Sequence, residues 1–435
     1  METDIMYFVA NELSTYGKID FKLILMQNHE TTIVLRNGQM EQLQQAIATS
    51  LVLNLMLDGR DGFYYTNNLN KQELKTFISQ AIKTTKILEP DECRTLPDPK
   101  RYYKGDGPDL KNFDASLFTI DPAEKIQITE EKHNQALNSD PRIISTQTRY
   151  SDRQHQAHYL TSNGFRGYEE SSQCTLSTIF AVEGENGQHP MDGWGETRIF
   201  FHDMPRSGIA EKALERTLRK IGQRPIQSGT YSMILESPMA GNMLQPLLNV
   251  MGGQALQQKM SFLRDMLDRQ VASPLLQLID DPLIPGTLGA CHFDYDGVAT
   301  QRRTIFDHGI LRTYFIDTPY SKKLGMKPTT QGVHHLIMQA GDKDLKGLIR
   351  EVGEGILVTD FNGGNCDSTT GNFSYGIEGY LIHNGQITQP LSGMNITGNM
   401  LKTWQNLVGL GNDADPWETD LIPSLVFEGI QFGGL

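Results

Sequence analysis

The chain is 435 residues long, 38% hydrophobic and 21% charged, and its 52 acidic residues outnumber its 39 basic ones for a net charge of −13. That length exceeds one ordinary core and predicts two domains, while the composition excludes collagenous, disordered and low-complexity chains. The densest basic runs, at 216–224 and 301–303, hold only a few cations each, so the concentrated positive face that nucleic-acid binding requires is missing.

In chain order, an N-terminal helix closes across 11–16 and an apolar strand follows at 20–27. A β-branched run at 30–35 meets 39–46 through Asn37-Gly38, a hairpin signal. Residues 48–57 read as a further buried strand, 63–66 as another, and 69–85 as a helix through Leu74, Phe77, Ile78, Ala81 and Ile82. Residues 90–111, rich in proline and glycine, form a long irregular excursion of the kind that serves as a functional or interface loop. A helix at 124–138 precedes strands at 143–150, 154–161 and 174–183, and an amphipathic helix at 207–221 ends a first domain placed at 1–222.

The second domain, 223–435, opens with a strand at 231–235, a helix at 241–251 and a polar helix at 254–268. Strands are predicted at 289–293, 300–306, 310–315, 334–339, 355–361, 373–383 and 386–391, with a short helix at 344–352. The expected class is α+β: an N-terminal α/β sandwich-like domain and a strand-rich C-terminal domain with mixed or antiparallel sheets. No repeat of solenoid or propeller period is present.

Four cysteines, Cys93, Cys174, Cys291 and Cys366, stand far apart without a CxxC pair, which favours free thiols in a reducing compartment. The N-terminus has no positive n-region, and the longest apolar run, around 51–57, is broken by Asn54 and stops at Asp58. A cytoplasmic protein with no membrane contact is expected.

Three blocks of the second half carry more specific information. The first includes Asp281-Pro282-Leu283-Ile284-Pro285-Gly286, Phe293-Asp294-Tyr295-Asp296-Gly297 and Leu324-Gly325-Met326-Lys327-Pro328. The second is Asp360-Phe361-Asn362-Gly363-Gly364-Asn365-Cys366-Asp367-Ser368-Thr369-Thr370-Gly371-Asn372-Phe373, and the third closes on Phe427-Glu428-Gly429-Ile430-Gln431-Phe432-Gly433-Gly434. Singly these are turns flanked by strands. In this order, and together with 55–69, the sequence resembles the TldD/TldE (PmbA) family, known as modulators of DNA gyrase and as metalloproteases.

That resemblance implies two kinds of chain. TldD-like chains carry HExxxH on a helix and a late cysteine that completes a zinc site; TldE-like chains lack both and pair with a TldD-like partner. Here the matching helix places Gln245 at the first histidine, Pro246 at the glutamate and Val250 at the second histidine, and a slip of one residue brings in Leu244 or Met251 instead. None of these is a zinc ligand or a general base. No cysteine follows Asn412-Asp413, and Cys366 lies well before that position. The resemblance is therefore to the TldE-like branch, with no catalytic or metal residue on this chain and zinc expected on a TldD-like partner. It also implies a peptide cavity shaped by Gly363, Gly364, Phe373 and Tyr375, in which an extended peptide adds a strand.

Other chemistries find less support. His155 and His158 fall on opposite faces of a predicted strand, and the side chains of His334 and His335 diverge. There is no GxSxG elbow, and Gly363-Gly364 lacks the Gly-Lys-Ser/Thr of a phosphate loop. Trp194 reads equally as a packed anchor and as a substrate platform. Two functions remain open: a non-catalytic subunit of a heterodimeric peptidase acting on small or unfolded peptides, or a stand-alone binding protein, self-associated and related to gyrase modulation. For the first, the resemblance implies processing of microcin-type peptide antibiotics and degradation of a labile antitoxin.

Overall fold

Asn37 and Gly38 both sit at positive φ, 50° and 82°, and turn the chain between two long strands. The computed structural model describes residues 2–205 and 207–435. Helix α1 (Glu2–Ser14) precedes these strands, β1 (Asp20–Arg36) and β2 (Gln39–Leu57). Then come β3 (Arg60–Thr66), α2 (Lys71–Thr85), α3 (Pro122–Ala136), β4 (Ile143–Thr161), β5 (Arg166–Val182), β6 (Met191–Arg198) and α4 (Ile209–Arg219). The six strands form one sheet in the order β3-β2-β1-β4-β5-β6, antiparallel throughout.

Period-two alternation explains why β1 reads as a nearly continuous apolar run. Leu23 and Leu25 pack with Val9 and Leu13 of α1 and Leu74 and Ile78 of α2. Ile24 faces the other way, into a cluster with Tyr102, Tyr159, Phe165 and Phe293. Phe293 belongs to the second half, so this face of the sheet is where the two halves meet.

The second half begins with β7 (Gly229–Leu235), α5 (Ser237–Asn249) and α6 (Gly253–Gln257). A small sheet in the order β10-β9-β8-β11 follows, built from β8 (Leu278–Asp280), β9 (Arg303–Asp307), β10 (Ile310–Leu311) and β11 (Leu336–Met338), with α7 (Thr318–Leu324) between its last two strands. Next are α8 (Leu345–Val352), β12 (Gly355–Cys366), β13 (Asn372–His383), β14 (Gln386–Asn399), α9 (Met400–Gln405), β15 (Leu407–Leu410) and β16 (Leu425–Gly433). Their sheet runs β14-β13-β12-β7-β16-β15, and β14 also pairs with β16, which closes β7, β12, β13, β14 and β16 into a ring. Met233 and Leu235 of β7 join the main core beneath α5, whereas Ile234 joins Leu348 and Ile349 of α8 on the opposite face.

The α+β class and the mixed and antiparallel sheets agree with the sequence expectation. Several elements differ. The strands at 39–46 and 48–57 are one strand, as are those at 20–27 and 30–35. The polar helix expected at 254–268 stops at Gln257, because Lys259, Asp265 and Asp268 take left-handed φ near 60° and break the helical ladder. The strand at 289–293 reduces to a single bridge between Phe293 and Ala299, and that at 310–315 to Ile310–Leu311. Trp194 lies on β6 with Lys212 Nζ 3.3 Å from its ring centre, a packed anchor between β6 and α4.

Charge pairs tie the halves together. Lys22 Nζ, on a side chain only 4% exposed, lies 2.5 Å from Asp296 Oδ1. Lys220 Nζ reaches Asp192 and Glu378 at 3.0 and 2.9 Å. The polar chains are dehydrated but mutually satisfied, the condition under which buried charge is tolerated.

Candidate functional site

Helix α5 is the helix at which the resemblance places the metal motif. Pro238 suits its first turn, where a missing N–H costs nothing. Ala240, Met243, Leu244, Leu247 and Leu248 bury one face in the core. Asn242, Gln245 and Asn249, at i, i+3 and i+7, project from the other, and Gln245 Nε2 donates to Asn249 Oδ1 at 2.9 Å. Two anchors hold the helix. Arg216 Nη1 of α4 lies 2.9 Å from Oε2 of Glu236, the residue just before α5, and buried Trp404 donates Nε1–H to the Met243 carbonyl at 3.2 Å.

Opposite this polar face β12 bulges between Phe361 and Gly364. Gly363 and Gly364 take φ of 121° and 118°, and a Cβ on Gly364 would stand 2.1 Å from the Ser374 carbonyl oxygen, so only glycine lets β12 approach β13 here. Between helix and strand lies a groove of about 380 Å³ lined by Asn242, Gln245, Pro246, Asn249, Phe361, Gly363, Gly364 and Tyr375. Burial, and then the neighbouring Cys366, push the Tyr375 hydroxyl up to about 12, which keeps it protonated as a donor. The lining contains no charged side chain.

Four of the expected site residues meet in this groove: Gln245, Pro246, Gly363 and Gly364, with Tyr375 as a fifth. Two do not line it. Val250 follows the last residue of α5 and is 2% exposed within the core, because the helix has ended. Phe373 is 5% exposed and stacks under Tyr375 at 5.4 Å, supporting the wall instead of forming it. Sequence reasoning missed Asn242, Asn249 and Phe361. Their signal was the carboxamide spacing along one helix face.

These residues do not fit a zinc ion. Gln245 offers a neutral amide already bonded to Asn249, Pro246 offers no side-chain donor atom, and Val250 offers none and points into hydrocarbon. Among the described residues, no group of three or more His, Cys, Asp and Glu is arranged to hold a metal. His155 and His334 do line one recess of about 510 Å³ between the halves, together with Glu169 and Cys291, while His335 is fully buried against the Thr419 carbonyl. What the groove can do is bind a neutral, extended group. Each carboxamide offers both N–H and C=O, the pair a peptide backbone presents. Pro246 also has no N–H for the Asn242 carbonyl four residues earlier, which leaves that acceptor to other donors.

The chain is similar to known proteins along most of its length. Three domain models of the PmbA/TldA metallopeptidases match in order: domain 1 over 23–85, the central domain over 115–221 and the C-terminal domain over 228–434. A solved structure from Bacteroides thetaiotaomicron, described as a candidate modulator of DNA gyrase, is 45% identical with a TM-score of 0.97, covering 100% of this chain and 99% of that one. The chain belongs to the PmbA/TldD metallopeptidase family. Metalloprotease PmbA of Escherichia coli O157:H7 is 26% identical over 384 residues, 87% of this chain and 84% of the relative. TldE from Thermococcus kodakarensis, at 18% identity and a TM-score of 0.83 over 99% of both chains, shares the fold. Within this PmbA/TldD chain, no helix among the described residues is long and apolar enough to cross a membrane.

Proposed function

We propose that this chain is the non-catalytic, PmbA/TldE-like subunit of a cytoplasmic two-chain metallopeptidase, working beside a TldD-like subunit that carries the zinc. The observation that carries this reading is the occupancy of the motif positions by Gln245, Pro246 and buried Val250, while the groove around them stays open and glycine-lined. The groove's uncharged carboxamides and its bulged strand suit an extended peptide held by its backbone, which favours small or unfolded peptides over folded proteins. A chain of net charge −13 without a concentrated basic face does not suit DNA, so direct DNA contact is not part of the reading.

The test is to express the HExxxH-bearing relative from the same organism with and without this chain. Cleavage of an unstructured peptide should require both, and the two should purify together. Equal activity in the two preparations, with no association, would favour a stand-alone binding protein.

A further inference from the structure

The recess of about 510 Å³ between the halves runs into a second one of about 190 Å³, and His155 and Ser171 line both. The smaller chamber holds Arg153 and no carboxylate. The larger holds Glu169 and Glu170 and neither lysine nor arginine. Together they form one cleft with a cationic end and an anionic end. None of the residues that line the groove beside α5 lines it.

Strand register decides what faces this cleft. Between β4 and β5, Arg153 lies opposite Gln173, His155 opposite Ser171 and Ala157 opposite Glu169. Directly opposed side chains share a face, and this is the face on which Tyr159 meets Phe293 of the second half. Arg153 and Glu169 therefore stand at the two ends of one row, four residues apart along the ladder, roughly 13 Å measured along the strands. The Arg153 side chain is 48% exposed, and its contact with Glu30 at 3.5 Å is a solvent-side pair of little strength. Glu169 Oε1 accepts from Tyr159 Oη at 2.6 Å, while Oε2 has no partner among the described residues.

The cleft also contains open backbone. Strand β6 covers β5 only from Cys174 onward, and the Ser172 N–H, which points away from β4, donates to the Asn112 carbonyl. Backbone groups alternate in direction along a strand, so the N–H and C=O of Glu170 point the same way, with no strand beside them among the described residues. An extended chain of two or three residues spans about 7–10 Å, a length that lets side chains reach its termini from both ends of the row. Its carboxylate meets Arg153, its ammonium meets Glu169, and an amide between them pairs with the Glu170 backbone.

We propose that this cleft is a binding site for short peptides with both termini free, separate from the groove beside α5. The proposal goes beyond the peptidase reading and is tested on the purified chain alone. Calorimetric titration with triglycine should saturate, with a Kd of about 1 mM or tighter. Triglycine amide, which lacks the carboxylate, and N-acetyltriglycine, which lacks the ammonium, should each bind about tenfold more weakly. Arg153→Gln should erase the difference between triglycine and its amide, and Glu169→Gln the difference between triglycine and its acetylated form. The Arg153 side chain is half-exposed and glutamine keeps an acceptor for Tyr159, so both variants should melt as the wild type does. No saturation up to about 10 mM overturns the proposal. So do capped peptides that bind the wild type as tightly as triglycine, or variants whose preference for free termini is unchanged.

Discussion

Gln245 and Asn249 are joined by a 2.9 Å hydrogen bond, Nε2 to Oδ1, along the solvent-facing side of α5. Where the metal-bearing branch is expected to present an imidazole, this chain presents one amide satisfied by another. The pair is held in place without an ion.

The purified chain should bind no stoichiometric zinc, and Gln245→His, Pro246→Glu, Val250→His should not change that. Three ligands and a water must converge on a catalytic zinc, yet Val250 is 2% exposed and directed into the core. Burying an imidazole there costs roughly 2 kcal/mol or more, so the triple variant should melt earlier as well. Elemental analysis and a melting curve decide both points. Tightly held zinc in either protein would contradict this account.

Pro246→Ala should stabilise the chain and weaken peptide binding together. Alanine restores the N–H that the Asn242 carbonyl lacks inside α5. The gain should be on the order of 1 kcal/mol, below the full interior penalty of proline because the surroundings are built around it. Urea unfolding measures the first effect and titration with an unstructured peptide the second. A stabilised variant with unchanged affinity would show that the Asn242 carbonyl takes no part in binding.

Gly364→Ala should destabilise the chain by about 2 kcal/mol or more. The residue sits at φ 118°, and the new methyl would meet the Ser374 carbonyl oxygen at 2.1 Å. Gly363→Ala, with φ 121° but nothing near the added Cβ, should cost less. The difference between the two isolates the close approach of β12 to β13 from backbone strain alone.

Asp280 carries a pH dependence. Burial raises its pKa, but the side chain of His334, the backbone N–H groups of His335 and His334, and the Arg303 guanidinium outweigh burial and lower it. A folded pKa below the unfolded value of about 3.9 means that the stabilisation is present above that value and lost as pH falls through the folded one. Arg303 Nη2 lies 3.0 Å from Oδ2 of Asp280, whose side chain is 1% exposed, so Asp280→Asn strands a guanidinium and should cost about 3 kcal/mol at neutral pH. As pH falls through the folded pKa, the gap between variant and wild type should narrow. A gap independent of pH would assign the loss to packing.

The sequence was most legible where one physical rule acted alone. Asn37-Gly38 called for a tight hairpin turn, and the apolar content of 20–27 called for a strand; both are present. It was least legible where tertiary partners decide. Residues 258–268 carry enough helix-forming side chains to suggest a helix, yet the left-handed turns at Lys259, Asp265 and Asp268 break it. At the groove, the motif positions on α5 were readable in order, but a linear string could not show that α5 ends before Val250. The carboxamides Asn242 and Asn249 were visible as letters and became a surface only once Gly363-Gly364 stood opposite them.

The ring of β7, β12, β13, β14 and β16 sets an order of assembly. Most of the first sheet grows from neighbours in sequence, β1 with β2, β2 with β3, β4 with β5 and β5 with β6. Strand β7 has no such neighbour: its parallel partner begins at Gly355 and its antiparallel one at Leu425. Pairings so distant along the chain are slow to form. During synthesis the first sheet can settle while β7 and the groove helix behind it wait on an open edge. The groove therefore waits for β12 and β13 to reach α5, and a chain stalled before residue 355 would carry the first half folded with no groove above it.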